Sequence, residues 1–458
     1  MKPVVDALIT ALGKEAVVSG EVLRERAVSY WDASPTQALA LVLPKTTEEV
    51  SQVLAICHQL GQPVVTQGGR TGCVQGSVAS ADEIILSLER MSKIEDVDAL
   101  GGTATVQAGA VLQVVQEHLA EQGLLFPLDL GARGSCTIGG NVATNAGGIN
   151  VLRYGMMRNL VLGLEVVLAD GTVVSCMNRM LKNNSGYDLK QLFVGTEGTL
   201  GVVTRVVLKL FQQPVSCDTA LLALQSFEQV TALMQSLQRD LAGTLSAYEV
   251  MWGNYFRAVT EEGGHRAPMR RDYPYYVVLE AEGAEPQADT ERFHRLLESA
   301  LEAGIIVDAV IPKSGQERRA VWDIRENFEV LLKRTPCYLY DVSLPIGSMA
   351  AYVEQVQTGL QRRWPQVFCS VIGHIADGNL HFFVIPGVED DLHEEVNREI
   401  YGPLQAVGGA VSAEHGIGME KKGWLAHSRS DTEIALMRTL KQTLDPSGLL
   451  NPGRVFDQ

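Results

Sequence analysis

The stretch PLDLGARGSCTIGGNVATNAGG, residues 127–148, constrains the fold of this 458-residue chain more than any other segment. It holds six glycines among short hydrogen-bonding side chains such as Ser135, Thr137 and Asn141. A glycine that is ordered in a folded loop loses more conformational entropy than any other residue, so this density of glycine needs a reason. A backbone with few Cβ atoms can lie flat against a large planar ligand and bind it with main-chain groups.

A second glycine-rich loop, TQGGRTGCVQG at residues 66–76, directly follows a predicted strand. Its glycines allow consecutive N–H groups to turn inward and bind an anion such as a pyrophosphate. Each loop alone could be an ordinary turn, but a third segment, GTEGTLGVVT at 195–204, favours a cofactor-binding domain. A nicotinamide-binding Rossmann unit would need GxGxxG between a strand and a helix, and residues 68–72 lack that spacing.

Composition and charge limit the partners of the chain. The net charge of −16 predicts repulsion by a phosphate backbone, so we expect no nucleic acid partner. No run reaches the roughly 20 apolar residues that span a bilayer. The N-terminal residues lack the apolar core and cleavage site of a signal peptide. Seven scattered cysteines without CxxC spacing are typical of reduced thiols, and we predict a cytoplasmic protein.

The pattern of the chain changes at Gln212-Gln213-Pro214. Before this point, short helices and strands alternate between glycine clusters. TTEEVSQVLAICHQLG predicts a helix at residues 46–61 that ends at Gly61, and LVLGLEVVLADGTVV predicts a hairpin with its turn at Asp170-Gly171. From 218 to 410, long amphipathic helices alternate with strand-like runs, which predicts an antiparallel sheet with helices on one face. The last segment, 411–458, contains a helix that ends at Asp445-Pro446. The sequence therefore predicts an α+β protein in three parts, 1–217, 218–410 and 411–458.

The segment GHIADGNLH places His374 and His381 seven residues apart. On one continuous strand these side chains would point to opposite faces, but a turn at Asp377-Gly378 would bring both imidazoles to one side. Farther along, SAEHGIG supplies Glu414 and His415. Two histidines and a carboxylate are a common ligand set for a catalytic divalent metal, typically zinc. The alternative is that the two histidines only cap the strands.

Five motifs together resemble one family of flavoproteins. They are PVVTQGGRTG, PLDLGARGSCTIGGNVATNAGG, RYGMMRNLVLGLEVVLADG, NSGYDLKQLFVGTEGTLGVVT and LDPSGLLNPGRV. In this order they resemble the vanillyl-alcohol-oxidase-type flavoproteins, and within them the D-2-hydroxyglutarate and D-lactate dehydrogenase branch. The resemblance implies that 1–217 is a two-part FAD-binding domain, that 218–410 is a substrate or cap domain, and that 411–458 packs back near the flavin.

The resemblance also implies which residues bind FAD. The first loop would hold the pyrophosphate, and the later segments would line the adenine, ribitol and isoalloxazine. The implied residues are Gly68, Gly69, Arg70, Thr71, Gly72, Gly76, Pro127, Leu128, Gly131, Ser135, Ile138, Gly139, Gly140, Asn141, Asn145, Gly147, Gly148, Glu197, Gly198, Val203 and Asn451. Because the first loop contains no histidine, we expect FAD to be bound non-covalently.

For the chemistry, the resemblance implies His374, His381 and Glu414 as metal ligands, Asn379 as a substrate contact and His415 as the base. A metal bound to a 2-hydroxy acid lowers the pKa of its hydroxyl group. An imidazole, with an unperturbed pKa near 6.5, can then take the proton while the C2 hydride passes to the flavin. Arg325 resembles the arginine that binds the substrate carboxylate. The alternative is that Arg325 is a surface residue paired with Asp323 or Glu329.

Two positions depart from the hydroxyglutarate enzymes. Those enzymes carry a lysine just before the Tyr-Asp pair of a YDxSLP strand, where this chain has Leu339, and a hydroxyl residue where it has Glu329. An aliphatic group and an acid would not favour a second carboxylate. The sequence therefore favours D-lactate or a longer apolar D-2-hydroxy acid. D-2-hydroxyglutarate is the alternative if Lys333 or Arg334 supplies the missing charge.

Two further function classes remain open from the sequence. One is a metal-free flavin oxidase acting on an alcohol or sugar, and the other is a flavin electron-transfer subunit whose histidines are structural. For a dehydrogenase, the expected electron acceptor is an electron-transfer flavoprotein or a quinone. A homodimer is the ordinary expectation for such an enzyme.

Overall fold

A computed structural model describes residues 3–457, which form two compact units. The first unit comprises the chain up to Gly147, residues 155–213 and the chain from Glu414 onward. The second comprises residues 148–154 and 214–413. The unit boundaries at 213 and 413 lie close to the predicted ones at 217 and 410. The sequence did not predict that residues 148–154 belong to the second unit.

The elements are given in chain order. The helices are α1 (Pro3–Leu12), α2 (Thr47–Leu60), α3 (Leu112–Ala120), α4 (Ile138–Thr144), α5 (Val151–Tyr154), α6 (Met157–Leu160), α7 (Phe227–Asp240), α8 (Gly253–Glu261), α9 (Pro286–Glu302), α10 (Gly315–Glu326), α11 (Glu329–Leu332), α12 (Met349–Arg363), α13 (His393–Tyr401) and α14 (Asp431–Leu444). The strands are β1 (Val17–Val18), β2 (Ala40–Val42), β3 (Val64–Gln67), β4 (Ile84–Ser87), β5 (Ile94–Asp98), β6 (Thr103–Gln107), β7 (Leu124–Leu125), β8 (Val161–Val167), β9 (Val173–Cys176), β10 (Val202–Lys209), β11 (Phe211–Gln212), β12 (Ser216–Leu224), β13 (Leu245–Trp252), β14 (Tyr275–Gly283), β15 (Asp308–Val310), β16 (Tyr338–Ser343), β17 (Phe368–His374) and β18 (Asn379–Ile385).

The first unit contains two main sheets. One has the strand order β1-β2-β4-β3, in which β2, β4 and β3 are parallel and β1 is antiparallel to β2. The other has the order β5-β6-β10-β8-β9 and is antiparallel throughout. A two-stranded ribbon of β7 and β11 completes the strands of this unit. The parallel strands bring the end of β3 and the glycine-rich loop that follows it to the edge of the first sheet.

Local sequence signals determine several of these elements. The predicted helix at residues 46–61 is confirmed as α2, since Thr46 accepts a hydrogen bond from the backbone N–H of Glu49 at its start. The helix ends at Gly61, whose φ of 61° favours glycine. The predicted hairpin turn at Asp170-Gly171 joins β8 to β9, and Gly171 has a φ of 90°.

The second unit is built on a seven-stranded antiparallel sheet with the order β15-β12-β14-β13-β17-β18-β16. Long helices contact one face of this sheet, as predicted. The hydroxyl of Tyr248 on β13 donates to the Val230 carbonyl of α7, and that of Tyr340 on β16 donates to Asn397 of α13. Because successive side chains of a strand alternate between faces, the neighbours Glu249 and Asp341 lie on the opposite face.

That opposite face is partly covered by shorter helices, which the sequence did not predict. Tyr255 of α8, Ile324 of α10 and Leu331 of α11 form a buried apolar cluster with Ile372 and Phe383 of the sheet. The polar residues of the face lie beside this cluster. The sheet therefore has one face that is closed by long helices and one that carries ionisable side chains.

The helices and the cysteines bear on the expected absence of a membrane span and of disulfides. Among residues 3–457, no helix combines the length and the apolar composition that crossing a bilayer requires. All seven cysteines are free thiols, as the sequence predicted.

Candidate functional site

The two glycine-rich loops of the first unit contact each other closely. A Cβ atom on Gly68 would overlap the Thr137 hydroxyl, and one on Gly69 would overlap the Ser135 carbonyl oxygen. A Cβ on Gly72 would have no atom within 4 Å. Glycine is therefore required at 68 and 69 by the contact between the loops, whereas Gly72 leaves the backbone open to a ligand.

Four residues predicted to bind FAD have left-handed backbone conformations although they are not glycine. They are Arg70 (φ 57°), Asn145 (φ 50°), Glu197 (φ 53°) and Asn451 (φ 42°). Such conformations cost on the order of 1–3 kcal/mol each, persist only where the surroundings impose them, and cluster at ligand sites. The concentration of this strain in the predicted FAD loops supports their role as a binding surface.

The side chains of two of these residues support the loops themselves. The Arg70 guanidinium donates through Nη1 to the Ala27 carbonyl oxygen at 2.6 Å. The Asn145 side-chain oxygen accepts the Arg158 backbone N–H at 2.9 Å. In the first unit, Arg70 and Asn145 therefore use their side chains to hold the loop conformation.

Glu197 anchors the segment that carries Glu414 and His415. Its two carboxylate oxygens accept the backbone N–H groups of Ile417 at 2.7 Å and Gly418 at 2.8 Å. Burial raises the pKa of Glu197, and these two N–H groups oppose that rise. The carboxylate thus orients a backbone segment that begins two residues after His415.

A buried network, which the sequence analysis missed, connects the C-terminal segment to the same loops. Asn451 donates to the Glu197 carbonyl at 2.7 Å and accepts the Thr66 N–H at 2.9 Å. Lys441 donates to the Leu450 carbonyl at 2.8 Å and forms an ion pair of 2.5 Å with Asp445. The Lys441–Asp445 pair therefore holds the turn that presents Asn451.

Replacing Lys441 by methionine is expected to lower the free energy of unfolding by about 3 kcal/mol, because Asp445 would remain buried without a counter-charge. Urea denaturation, followed by the fluorescence of released flavin, measures this loss. The control is Lys422→Met, which breaks a 2.6 Å pair with the exposed Asp457 and should cost less than about 1 kcal/mol. Equal small losses in both variants would contradict a stabilising role for the buried pair.

In the second unit, the hairpin of β17 and β18 brings His374 and His381 together, as the predicted turn requires. Their ring centroids lie 5.5 Å apart, and a ring nitrogen of each lies within 4.8 Å of the other. Asp341 of β16 is the register partner of His381, and its carboxylate lies at a similar distance from that histidine. Two adjacent imidazoles are donors that suit a divalent transition metal.

Glu249 of β13 contacts both His374 and Arg325. Its Oε1 lies 2.6 Å from His374 Nδ1, and its Oε2 lies 2.7 Å from Arg325 Nη2. The Glu249 carboxylate is only 1% exposed. Burial raises the pKa of Glu249, but the electrostatic interactions and hydrogen bonds with His374 and Arg325 outweigh it and hold the pKa below its ordinary value. Arg325 is thus buried, and its ion-pair partner is Glu249 and not Asp323 or Glu329.

Asn379 is buried, and its hydrogen bonds define the orientation of its amide. The Nδ2 group donates to Asp341 Oδ1 at 2.9 Å and to the Val342 carbonyl at 3.0 Å. A flipped amide would place oxygen against two acceptors. Asn379 Oδ1 and Arg325 Nε are both buried and lack a hydrogen-bond partner among residues 3–457. Buried polar atoms of this kind are expected to bind a ligand.

The predicted substrate side-chain region is apolar around Leu339. This residue is partly buried and packs against the cluster that contains Tyr255, Ile324 and Phe383. Glu329, in contrast, is exposed at the start of α11 and gives no support to the expectation that its charge repels a carboxylate. Arg334 forms an ion pair with Glu262, and its guanidinium lies 4.7 Å from the centroid of the Phe368 ring. Lys333 is exposed.

Glu414 and His415 are the first two residues of the last stretch of the first unit. The Ser412 hydroxyl and the Ala413 N–H donate to Asp341 Oδ2 at 2.9 and 3.1 Å. Glu414 is the next residue in the chain. Hydrogen bonds therefore fix the backbone on both sides of Glu414 and His415. Residues before them bond to Asp341, and residues after them bond to Glu197.

Comparisons with known proteins identify the family. A family model described as an FAD binding domain matches residues 38–177, and one described as the C-terminal domain of FAD linked oxidases matches 213–455. The D-2-hydroxyglutarate dehydrogenase of Xanthomonas citri pv. viticola is 41% identical, with 93% of this chain and 90% of that protein covered. The mitochondrial D-2-hydroxyglutarate dehydrogenase of Danio rerio is 38% identical, with 95% and 82% covered. The chain belongs to the family of FAD-dependent D-2-hydroxy-acid dehydrogenases.

The fold of this dehydrogenase is shared with more distant flavoproteins. A solved structure of p-cresol methylhydroxylase with substrate bound superposes with a TM-score of 0.76, at 16% identity, over 99% of this chain and 96% of that one. At this identity the likeness shows the fold alone. The predicted α+β architecture of the vanillyl-alcohol-oxidase type is confirmed.

The residues of the dehydrogenase fit FAD, since a Cβ atom at Gly72 or Gly131 would have no atom within 4 Å and the loops therefore leave space beside their backbone. The other residues predicted to bind FAD lie in the first unit, except for Gly148, which lies in the second. Those in the first unit are Thr71, Gly76, Pro127, Leu128, Gly131, Ser135, Ile138, Gly139, Gly140, Asn141, Gly147, Gly198 and Val203. Their individual contacts with FAD remain predictions.

Four residues of these networks in the dehydrogenase were not predicted from the sequence, namely Glu249, Asp341, Lys441 and Asp445. One signal was available for Lys441 and Asp445, which are four residues apart in a predicted helix, as helical ion pairs are. Glu249 is the one acid in the otherwise apolar strand LSAYEVMW. An isolated acid in a strand that is buried at all eight positions indicates a partner, although it does not say which one.

Proposed function

We propose that this flavoenzyme oxidises a D-2-hydroxy acid to the 2-oxo acid with the help of a divalent metal, with zinc as the expected ion. The proposed ligands are His374, His381 and Glu414, and FAD is bound non-covalently. One observation carries the proposal. The two adjacent imidazoles are connected to Arg325 through Glu249 and to Asn379 through Asp341. Arg325 and Asn379 each have a buried polar atom without a partner among the described residues.

Each side chain has a distinct task in this proposal. Arg325 binds the substrate carboxylate, because its planar guanidinium suits a two-oxygen anion. Asn379 is the proposed substrate contact, and because its Oδ1 can only accept a hydrogen bond, that atom does not bind the substrate carboxylate. His415 takes the hydroxyl proton. When bound, the metal lowers the pKa of the hydroxyl group and FAD accepts the hydride.

The apolar surroundings of Leu339 favour a substrate with an apolar side chain, such as D-lactate or a longer homologue. Among the described residues, the two basic side chains that could replace the missing lysine do not alter this substrate preference. Arg334 is paired with Glu262, and Lys333 is exposed. D-2-hydroxyglutarate is the second candidate, favoured by the names of the two curated relatives.

Anaerobic bleaching of the flavin by a panel of D- and L-2-hydroxy acids, before and after EDTA, tests the proposal. Bleaching by apolar D-acids that EDTA abolishes and zinc restores is the expected result. Bleaching by D-2-hydroxyglutarate alone would keep the reaction and contradict the apolar substrate. Bleaching that is insensitive to EDTA would favour a metal-free oxidase, and no bleaching would favour an electron-transfer subunit.

Leu339→Lys is expected to raise kcat/KM for D-2-hydroxyglutarate relative to D-lactate by roughly 10- to 100-fold, since a charged hydrogen bond contributes about 1.5–3 kcal/mol. Steady-state kinetics with both acids measure the ratio. The control is Leu339→Met, which conserves volume without adding charge and should leave the ranking unchanged. A ranking that the lysine does not alter would place the side-chain pocket elsewhere.

Three further proposals concern the electron acceptor, the assembly and the location of the enzyme. We propose an electron-transfer flavoprotein or a quinone as the electron acceptor, a homodimer as the assembly and the cytoplasm as the location. Reduction assays with each acceptor, sedimentation of the purified enzyme and cell fractionation test them in turn.

A further inference from the structure

Glu249 is a buried carboxylate whose two oxygens each lie within 2.7 Å of a functional side chain. It is the register partner of His374 across β13 and β17, and its Oε1 lies 2.6 Å from His374 Nδ1. Its Oε2 lies 2.7 Å from Nη2 of Arg325, on helix α10. One side chain therefore contacts a proposed metal ligand and the proposed substrate-binding arginine.

The contact with His374 determines which ring nitrogen is available to a metal. A carboxylate oxygen accepts hydrogen bonds, so the proton of a neutral His374 ring lies on Nδ1. The lone pair then lies on Nε2, which becomes the ligand atom. Carboxylates that fix a histidine tautomer in this way commonly strengthen metal binding.

The contact with Arg325 determines how the guanidinium is oriented. Nη2 forms an ion pair with Glu249 Oε2, whereas Nε has no hydrogen-bond partner among residues 3–457. The main chain of this residue is also held, because the Tyr255 hydroxyl donates to the Arg325 carbonyl at 2.8 Å. The guanidinium is thus fixed on one edge and retains donors for a second anion.

We infer that Glu249 is a positioning residue that sets the metal-binding tautomer of His374 and the orientation of Arg325 together. Metal affinity and affinity for the substrate carboxylate then depend on the same carboxylate. This inference rests on the proposed function. A purely structural role, in which Glu249 only neutralises the buried Arg325, predicts a loss of stability without a change in metal affinity.

The test is Glu249→Gln, an isosteric change that removes the charge and accepts either histidine tautomer. We expect the zinc dissociation constant of the metal-depleted protein, measured by competition with a chromogenic chelator, to rise by roughly 10- to 100-fold. KM for the hydroxy acid is expected to rise by at least tenfold, with FAD content unchanged. If the glutamine variant does not fold, Glu249→Asp, which keeps the charge but retracts it by one methylene group, is measured in the same two assays.

Glu280→Gln is the matched control. Glu280 lies on the adjacent strand β14, and its Oε2 accepts hydrogen bonds from Thr219 and from Trp322 of α10. This variant loosens a contact to the same helix without touching His374, so zinc affinity and KM should stay within twofold of the parent values.

The outcomes separate this inference from the proposed function. A parent enzyme that binds no zinc contradicts the proposed metal itself. A parent that binds zinc, with Glu249→Gln binding it within twofold, overturns only the role of Glu249. A change in KM alone refutes the link through His374, and a similar loss of zinc affinity in Glu280→Gln shows a general effect on the fold and also overturns the inference.

Discussion

His415→Ala is expected to lower kcat by about 10²- to 10⁴-fold, the usual contribution of a general base, while FAD and metal contents stay at parental values. The imidazole is the proposed acceptor of the hydroxyl proton, and the segment that carries it is fixed by hydrogen bonds from Ile417 and Gly418 to Glu197. Alanine removes the base without removing that anchor. Stopped-flow measurement of flavin reduction isolates the chemical step from reoxidation.

The control for this variant is His118→Ala, on the exposed side of α3 in the same unit. It should reduce the flavin at the parental rate. Full activity in His415→Ala would remove this histidine from the role of base, and loss of FAD from that variant would indicate a structural role instead.

His374→Ala is expected to lower bound metal below a tenth of the parental content and kcat/KM by roughly 10²- to 10³-fold, because metal polarisation contributes several kcal/mol to such reactions. Elemental analysis of the purified protein and steady-state kinetics measure the two losses. Glu414→Ala should show the same pair of losses, since both residues are proposed ligands of one ion.

His294→Ala, on α9 of the second unit, is the control and should keep both metal and activity. Stoichiometric metal in His374→Ala and Glu414→Ala would contradict the ligand set. Loss of metal without loss of activity would confine the ion to a structural role.

The sequence predicted features that depend on local signals. The turn at Asp377-Gly378 was predicted from two residues, and it brings His374 and His381 together as expected. The helix at residues 46–61 was predicted from its cap and its terminal glycine. In each case the residues that determine the conformation are close together in the chain.

Features that depend on long-range pairing were not predicted. Glu249 contacts His374 across 125 residues of sequence, and only the register of β13 and β17 reveals that contact. The alternative considered for Arg325 was an ion pair with Asp323 or Glu329, whereas the observed partner, Glu249, lies on the sheet. The exposure of Glu329 likewise follows from how α11 packs and not from its neighbours in the sequence.

The path of the backbone limits how this protein can be divided or recombined. The backbone passes from one unit to the other four times, after residues 147, 154, 213 and 413. A fragment cut at 214 and 413 would lack the heptapeptide 148–154, in which Arg153 and Tyr154 both contact the Glu282 carboxylate. A chimera that exchanges the sheet unit with that of a relative must therefore exchange two separate stretches of the gene, the shorter of which lies within the cofactor-binding half.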